Sequence, residues 1–203
     1  MRLDTPALSG VSVRLEPLAM SRVPVLAQAV EEDRSSYAFT LVPPCAGGGI
    51  LPANPALWRG VAPLRVDPRD RRKAAGCTAF WDPHHWPGRQ DLRAVEADWT
   101  WLAASAQGTT ISAETRLLLF THAFEVLGVT RVGLKTDARN QRSRRALERP
   151  SFEGVLRSWS PPWAPGEEGL LRDSPMFSLI ATEWPAVEAA PQDRLAESIG
   201  EVR

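Results

Sequence analysis

Glu96 and Asp98 stand two residues apart, and Thr100 follows at the same interval. In an extended strand that spacing puts all three side chains on one face. Paired carboxylates there could serve as acid and base, or simply line a partly solvated sheet face. Shortly downstream lies a small polar loop, Ser105-Ala106-Gln107-Gly108-Thr109-Thr110, which opens a long helix. Free backbone N–H groups and the positive end of a helix dipole suit a phosphate or pyrophosphate. The plainer reading of the same residues is a helix cap at Thr110 or Ser112. A third group, Arg139-Asn140-Gln141-Arg142-Ser143-Arg144-Arg145, offers an amide, a hydroxyl and four guanidinium groups at another helix start. Such a set could hold a polyanionic cofactor, or be an ordinary solvated helix face. Asp82, His84 and His85 lack a distant ligand set, so no metal is expected. Cys77 falls in an apolar stretch and reads as inert, and Cys45 has no activating base beside it. No Gly-x-Ser-x-Gly elbow, P-loop or dinucleotide fingerprint occurs.

These groups need elements to hold them. Val11, Val13 and Leu15 alternate with polar residues, giving a half-buried strand that Pro17 stops. Ser21 caps a helix carrying Val23, Leu26 and Val30 on one face, with Pro24 in its first turn. The region from Pro43 to Lys73 has no readable pattern. Ala74 to Phe80 reads as a short buried strand, and Pro83 to Pro87 as a loop. Val95 to Leu102 alternates, with Val95, Ala97, Trp99 and Trp101 on one face and Glu96, Asp98 and Thr100 on the other. A helix is expected from about Ser112 to Leu127, with Leu117, Phe120, Phe124 and Leu127 at helical spacing and Gly128 ending it. Val132, Leu134 and Thr136 mark another strand. Ser143 to Arg149 is a short helix ended by Pro150. Phe152 to Trp159 and Met176 to Ala181 complete the strands, joined by the loop Ser160 to Gly169. The expected fold is α/β (α+β): a mixed, mostly antiparallel twisted sheet of about six or seven strands with flanking helices. One domain should span 1–190, with a polar tail over 191–203.

Composition narrows the function classes. Hydrophobic residues make up 43% and charged residues 24%, as in an ordinary soluble core-forming chain. The net charge is zero, so no global field draws nucleic acid or anionic lipid. Apolar runs such as Leu117 to Phe120 are too short to cross a bilayer. No apolar signal core follows Met1, and two cysteines in no redox or metal spacing fit a reducing cytoplasm. Eight tryptophans accompany a single tyrosine, Tyr37. Trp81, Trp86, Trp159 and Trp163 lie in or beside proline-rich loops, where they could wall a substrate pocket or cap the core edge.

One resemblance joins these pieces. The stretch Leu134-Lys135-Thr136-Asp137-Ala138-Arg139-Asn140-Gln141-Arg142-Ser143-Arg144-Arg145-Ala146-Leu147-Glu148 resembles the fifth strand and following helix of GNAT acetyltransferases. The nearer likeness is to the branch containing the ribosomal-protein N-terminal (Rim-type) acetyltransferases. Val13 to Leu18 resembles that branch's first strand, Trp99 to Leu102 its fourth, and Leu117 to Glu125 the helix behind its pyrophosphate loop. Phe152 to Arg157 and Arg172 to Ser178, closing with Glu183-Trp184-Pro185, resemble its last strands.

The resemblance implies that the fourth and fifth strands splay apart and that acetyl-CoA lies in the V. Trp101 and Leu102 would flank the pantetheine arm. Gln107, Gly108, Thr109, Thr110, Ile111 and Ser112 would form the pyrophosphate loop, and Asn140 and Ser143 would touch the cofactor from the fifth-strand side. Glu96 occupies the place of an acidic residue common in the branch, which makes it the expected catalytic base. The acceptor would be a primary amine, either a protein N-terminus or side chain, or else a small molecule such as an amino sugar, polyamine or amino acid. A degenerate member that only binds acyl-CoA is a further alternative, and a homodimer stays open as a partner. The chain departs from the family pattern at two loop glycine places, which hold Thr110 and Ser112, and its glycine sits instead at Gly108. The family's thiolate-protonating tyrosine has no counterpart near these motifs, since Tyr37 lies far upstream.

Overall fold

The computed structural model describes residues 3, 5–40, 42, 62–69, 74–147, 153–160 and 171–189; for 153–160 it describes the backbone course alone. The glycine run Cys45 to Gly49, the Pro161 to Pro165 loop with Trp163, and the tail after Pro191 lie outside the described residues.

Eight strands form one sheet: β1 Leu8–Ser9, β2 Val13–Pro17, β3 Ala62–Pro68, β4 Gly76–His85, β5 Leu92–Leu102, β6 Arg131–Lys135, β7 Glu153–Ser160 and β8 Arg172–Ile180. Their spatial order is β1-β2-β3-β4-β5-β6-β8-β7. The sheet is the expected one with a two-residue edge strand added. Every neighbouring pair is antiparallel except β5 and β6, which run parallel. The helices are α1 Val23–Val30, α2 Thr110–Thr121, α3 Gln141–Leu147 and α4 Trp184–Glu188.

The strand β2 shows why the alternation was readable. Val13 and Leu15 are wholly buried and Arg14 points out. On one side of the sheet Phe80, Val95, Ala97, Val132, Leu134, Phe177 and Leu179 meet Leu119, Phe120 and Ala123 and the α4 residues Trp184 and Val187. On the other side α1 buries Val23, Leu26, Ala29 and Val30 against Cys77, Trp101 and Tyr37. The α2 helix runs into a π turn, His122–Val126, and the chain then reverses at Gly128, whose φ of 65° is the left-handed value glycine adopts freely. His122 is buried there, with its ring 6.1 Å from that of Phe80.

Several expectations need correction. The strand β3 lies inside the region that showed no pattern, because Pro63 and the buried Arg65 break the usual alternation. Arg65 is held by Glu16 at 2.8 Å and by Asp67 through its Nε at 2.7 Å. The strand β4 continues through Pro83 to His85, where a loop was expected; register shifts between Trp81 and His85, with Asp82 at φ 47°, make room for the proline. Glu183-Trp184-Pro185 opens α4 rather than closing a strand. The cap of α2 is Thr109, whose hydroxyl accepts from the Ile111 N–H at 3.3 Å, so neither Thr110 nor Ser112 has that role.

The largest correction is in β5. Ala79 pairs with Asp98, but Cys77 pairs with Trp101, so one extra residue is inserted between them. Trp99 absorbs it with φ at 52°, a left-handed conformation that costs a non-glycine residue about 1–2 kcal/mol. The phase of the strand flips there. Val95 and Ala97 face the α2 side, while Trp101 belongs to the α1 side together with Cys77. Thr100 moves to the α2 side, where its hydroxyl shares a 2.7 Å hydrogen bond with that of Thr78.

Candidate active site

The strands β5 and β6 pair at Ala94–Arg131, Val95–Val132 and Glu96–Gly133. Beyond that rung no pairing between them is present among the described residues. The strand β5 runs on to Leu102 and β6 to Lys135, each continued by a loop and a helix. The two strands thus part beyond Glu96, which stands at the throat of the V, and the loops that follow them lead into α2 and α3.

Glu96 is only 6% exposed. Its Oε2 accepts from Lys135 Nζ at 2.6 Å, and the same ammonium stands 3.4 Å from Asp98 Oδ2. Burial pushes the Glu96 carboxyl above its ordinary range; the Lys135 bond and charge pull it partly back, and Asp98 and Asp82 push it up again. Burial works against the charge on Lys135, yet Asp98 and Glu96 outweigh it and hold the ammonium above its usual value. The group therefore contains two carboxyls and one firmly charged ammonium. Sequence reasoning found the two acids and missed Lys135, which lies in the strand quoted for the family resemblance but carried no signal of its own.

Beside this group Trp81, the register partner of Glu96, stacks on Trp99 with ring centroids 5.0 Å apart and planes inclined by 34°. Both indoles are half-buried. The bulge at Trp99 is what brings its ring onto the same side as Trp81.

At the open end, the Thr109 hydroxyl also donates to the Ala106 carbonyl at 2.7 Å and so ties the turn below it. The remaining N–H groups of the first α2 turn have no intrahelical partner by construction. Gly108 has φ 69° and open space where a Cβ would stand. Thr110 is exposed, and Ile111 and Ser112 are half-buried. Gln107 is turned away from the loop mouth. Its amide donates to the Leu102 carbonyl at 2.8 Å and to Ser36 Oγ at 3.1 Å, and its oxygen accepts from Arg142. Arg142 also donates to the Ser36 carbonyl at 3.1 Å, so α3, the loop after β5 and the segment after α1 are fastened together.

Tyr37 is brought into the same region although it is remote in sequence. Its hydroxyl donates to the Leu102 carbonyl at 3.0 Å, and its ring meets Trp101 edge-on at 5.8 Å. Trp101 and Leu102 are both buried, and the Leu102 carbonyl is satisfied internally. Among the described residues the β5–β6 ladder stops at Glu96, so β5 continues from Ala97 to Leu102 without a rung to β6.

Asn140 caps α3, its side-chain oxygen accepting from the Ser143 N–H at 3.1 Å. The preceding turn is fixed by Asp137, which is 1% exposed at its side chain and takes bonds from Arg139 N, Nε and Nη2 at 2.9, 3.0 and 2.9 Å. Burial opposes its charge, but Arg139 and Arg172 hold the carboxyl below its ordinary value. Arg139 lies over the Phe39 ring at 5.0 Å. Part of the arginine cluster is therefore structural, with Arg139 and Arg142 engaged within the protein.

Among the described residues no group of three or more potential ligands could hold a metal ion. Asp82 and His84 form an exposed pair at 3.0 Å. Cys77 is buried, and its thiol is pushed up to about 12 by desolvation.

A second buried carboxylate was missed in the sequence. Glu114, on α2, accepts from the Val11 N–H, from the Ser12 N–H at 2.8 Å and from the Ser12 hydroxyl at 2.6 Å. A Cβ at Gly10 would stand 2.1 Å from its Oε1, which only glycine avoids.

A family model described as an acetyltransferase (GNAT) domain matches residues 52–153. A crystal structure from T. thermophilus, assigned as an acetyltransferase, is 30% identical and superposes with a TM-score of 0.73, over 96% of this chain and 100% of that one. A GCN5-related N-acetyltransferase from Brucella melitensis gives a TM-score of 0.76 at 24% identity, covering 96% and 87%. RimL, a ribosomal L7/L12 alpha-N-protein acetyltransferase solved with coenzyme A, gives 0.66 at 19% identity, covering 86% and 98%, a likeness of fold. No curated protein matches the sequence.

Proposed function

The chain belongs to the GNAT acetyltransferases, and from that premise we propose that it transfers the acetyl group of acetyl-CoA to a primary amine of a protein, at an N-terminus or a side chain, with Glu96 as the base. The observation that carries this reading is the parting of β5 and β6 immediately beyond a buried carboxylate.

The residues around the V suit the cosubstrate. The first α2 turn offers backbone N–H groups, Gly108 leaves open space, and among the described residues β5 makes no rung to β6 beyond Glu96. We assign the loop Gln107 to Ser112 to the pyrophosphate, with Gln107 acting by holding the loop, and Asn140 and Ser143 to the opposite wall. Acetyl-CoA supplies, when bound, an acetyl group already activated as a thioester. Glu96 Oε1 takes a proton from the acceptor's ammonium, directly or through water, and leaves the nitrogen a lone pair with which to attack. A carboxyl raised by burial is better matched to this task near neutral pH than an ordinary one. The Trp81–Trp99 pair gives the acceptor a flat apolar wall next to that oxygen.

That wall also favours a second reading, a small ring-bearing amine such as an amino sugar. Thr110 and Ser112, where the family pattern has glycine, favour a third, binding without turnover. Incubation of the protein with acetyl-CoA and a panel of peptides, amino sugars, polyamines and amino acids, followed by free-thiol release, tests all three. Turnover with peptides above the small amines supports the first reading. Turnover with none of them overturns catalysis.

A further inference from the structure

The throat of the V contains one group that the base mechanism does not use. Lys135 is the second residue beyond Gly133 on β6, on the same face, and Gly133 is the last rung opposite Glu96. A Cβ at Gly133 would lie 3.2 Å from Glu96 Cγ, so the glycine opens a notch through which the Glu96 side chain passes over β6. The side chain ends with Oε2 on Lys135 Nζ at 2.6 Å, while Oε1 has no hydrogen-bond partner among the described residues. Asp98, on the same face of β5, balances the ammonium from 3.4 Å.

We propose that Lys135 is the positioning residue of the transfer reaction: it pins one oxygen of Glu96, aims the other into the V, and sets the pH range in which Glu96 is an ionised base. The inference rests on the reading of Glu96 as that base. Its physical content is a division of labour within one carboxylate. An oxygen held by a charge-assisted bond cannot turn to meet a substrate. Its twin is then fixed in direction, at no further entropic cost when the acceptor arrives. The nearby ammonium also favours the ionised carboxylate, which burial alone would disfavour. Among the described residues the charged groups acting on Glu96 are Lys135 from β6, Asp98 from β5 and Asp82 from β4. From the helix on that side of the sheet, α1 turns only Val23, Leu26, Ala29 and Val30 inward, none of which titrates.

Charge balance gives opposite signs to two substitutions. Lys135→Met removes the cation and should raise the titration of Glu96 by about one pH unit or more, the usual effect of an opposite charge at this range. Asp98→Asn removes a like charge and should lower it. Lys135→Arg keeps the cation and should return the titration toward wild type.

The test is a ¹³C-carboxyl NMR titration of Glu96 in the full chain for these three variants, assigned with Glu96→Gln. It is run beside the pH profile of thiol release with acetyl-CoA and the best amine of the panel. The expected result is that the acid limb of the profile follows the NMR titration, upward in Lys135→Met and downward in Asp98→Asn. An unmoved Glu96 titration in folded Lys135→Met overturns the role of Lys135. If Lys135→Met does not fold, Lys135→Gln is titrated in its place, and an unmoved Glu96 there overturns the role instead. Full turnover in Glu96→Gln, whatever the titrations show, overturns the base assignment on which the inference stands.

Discussion

Glu96 and Glu114 are buried to nearly the same degree, 6% and 8% exposed, yet their surroundings differ in kind. Glu114 has both oxygens occupied by the Val11 and Ser12 donors of a single turn, and Gly10 is stripped of a side chain to let it in. Glu96 has one oxygen bound to Lys135 and, among the described residues, one without a hydrogen-bond partner, at the last rung before β5 and β6 part. A saturated carboxylate holds the fold together, because any loss leaves buried N–H groups unpaired. A half-saturated carboxylate at a gap keeps the capacity to take a proton. Degree of burial does not separate the two roles, whereas the number of unused lone pairs does.

The strongest way to break this contrast is Glu96→Gln. It should lower turnover about 100- to 10,000-fold, with thiol release as the measurement, and leave the melting temperature nearly unchanged. The loss should shrink as pH rises, because more of the acceptor amine is then already neutral. An intact rate across pH 6 to 9, in this variant and in the double change Glu96→Gln with Asp98→Asn, would remove the functional half of the comparison.

Glu114→Ala is the complementary test. Two backbone donors and a hydroxyl lose their acceptor, at a cost of about 1–3 kcal/mol per buried group. The melting temperature should fall by roughly 2–4 °C per kcal/mol, while turnover of the remaining folded protein at low temperature stays within a few-fold of wild type. If this variant melted like the parent and lost turnover, the two carboxylates would have exchanged roles.

Binding should be separable from both. Acetyl-CoA at 100 times its dissociation constant should add about 2.7 kcal/mol to stability, in wild type and equally in Glu96→Gln. Absence of any melting shift at millimolar acetyl-CoA would count against the assignment of the loop. The smallest effect is expected from Thr110→Gly. Thr110 is exposed at the start of α2 and is not the cap, so glycine there should leave affinity unchanged or raise it. A tenfold loss in acetyl-CoA affinity would show that the threonine hydroxyl is a ligand.

How much of this was readable in the chain depended on whether the signal was local. The helix α2, the strand after it and the left-handed stop at Gly128 follow from short-range pattern and were legible, although α2 starts at Thr110 under a Thr109 cap rather than at about Ser112. The phase of β5 was not, because alternation continues unbroken through Trp99 and nothing in a tryptophan announces positive φ. That single residue moved Trp101 and Thr100 to opposite faces from those the pattern assigns. The strand β3 was hidden for a related reason: Pro63 and Arg65 break its pattern, and Arg65 is buried only because Glu16 and Asp67, on β2 and β3, neutralise it. In the candidate site, Glu96 was reachable through family likeness. Lys135 and Tyr37 were not, since each meets its partner only after the sheet has assembled. The partner of Glu114 was equally hidden, being a turn far upstream whose only mark is a glycine.

The bulge at Trp99 has an optical consequence. Two indoles with centroids 5.0 Å apart and planes inclined by 34° share their ultraviolet excitations instead of absorbing independently. Such a pair produces a two-signed circular-dichroism band that an isolated indole does not. The sign and strength of that band depend on the angle between the rings. The wall beside Glu96 is therefore also a built-in chromophore, through which any molecule that enters the V and tilts either ring would report its own arrival without a label.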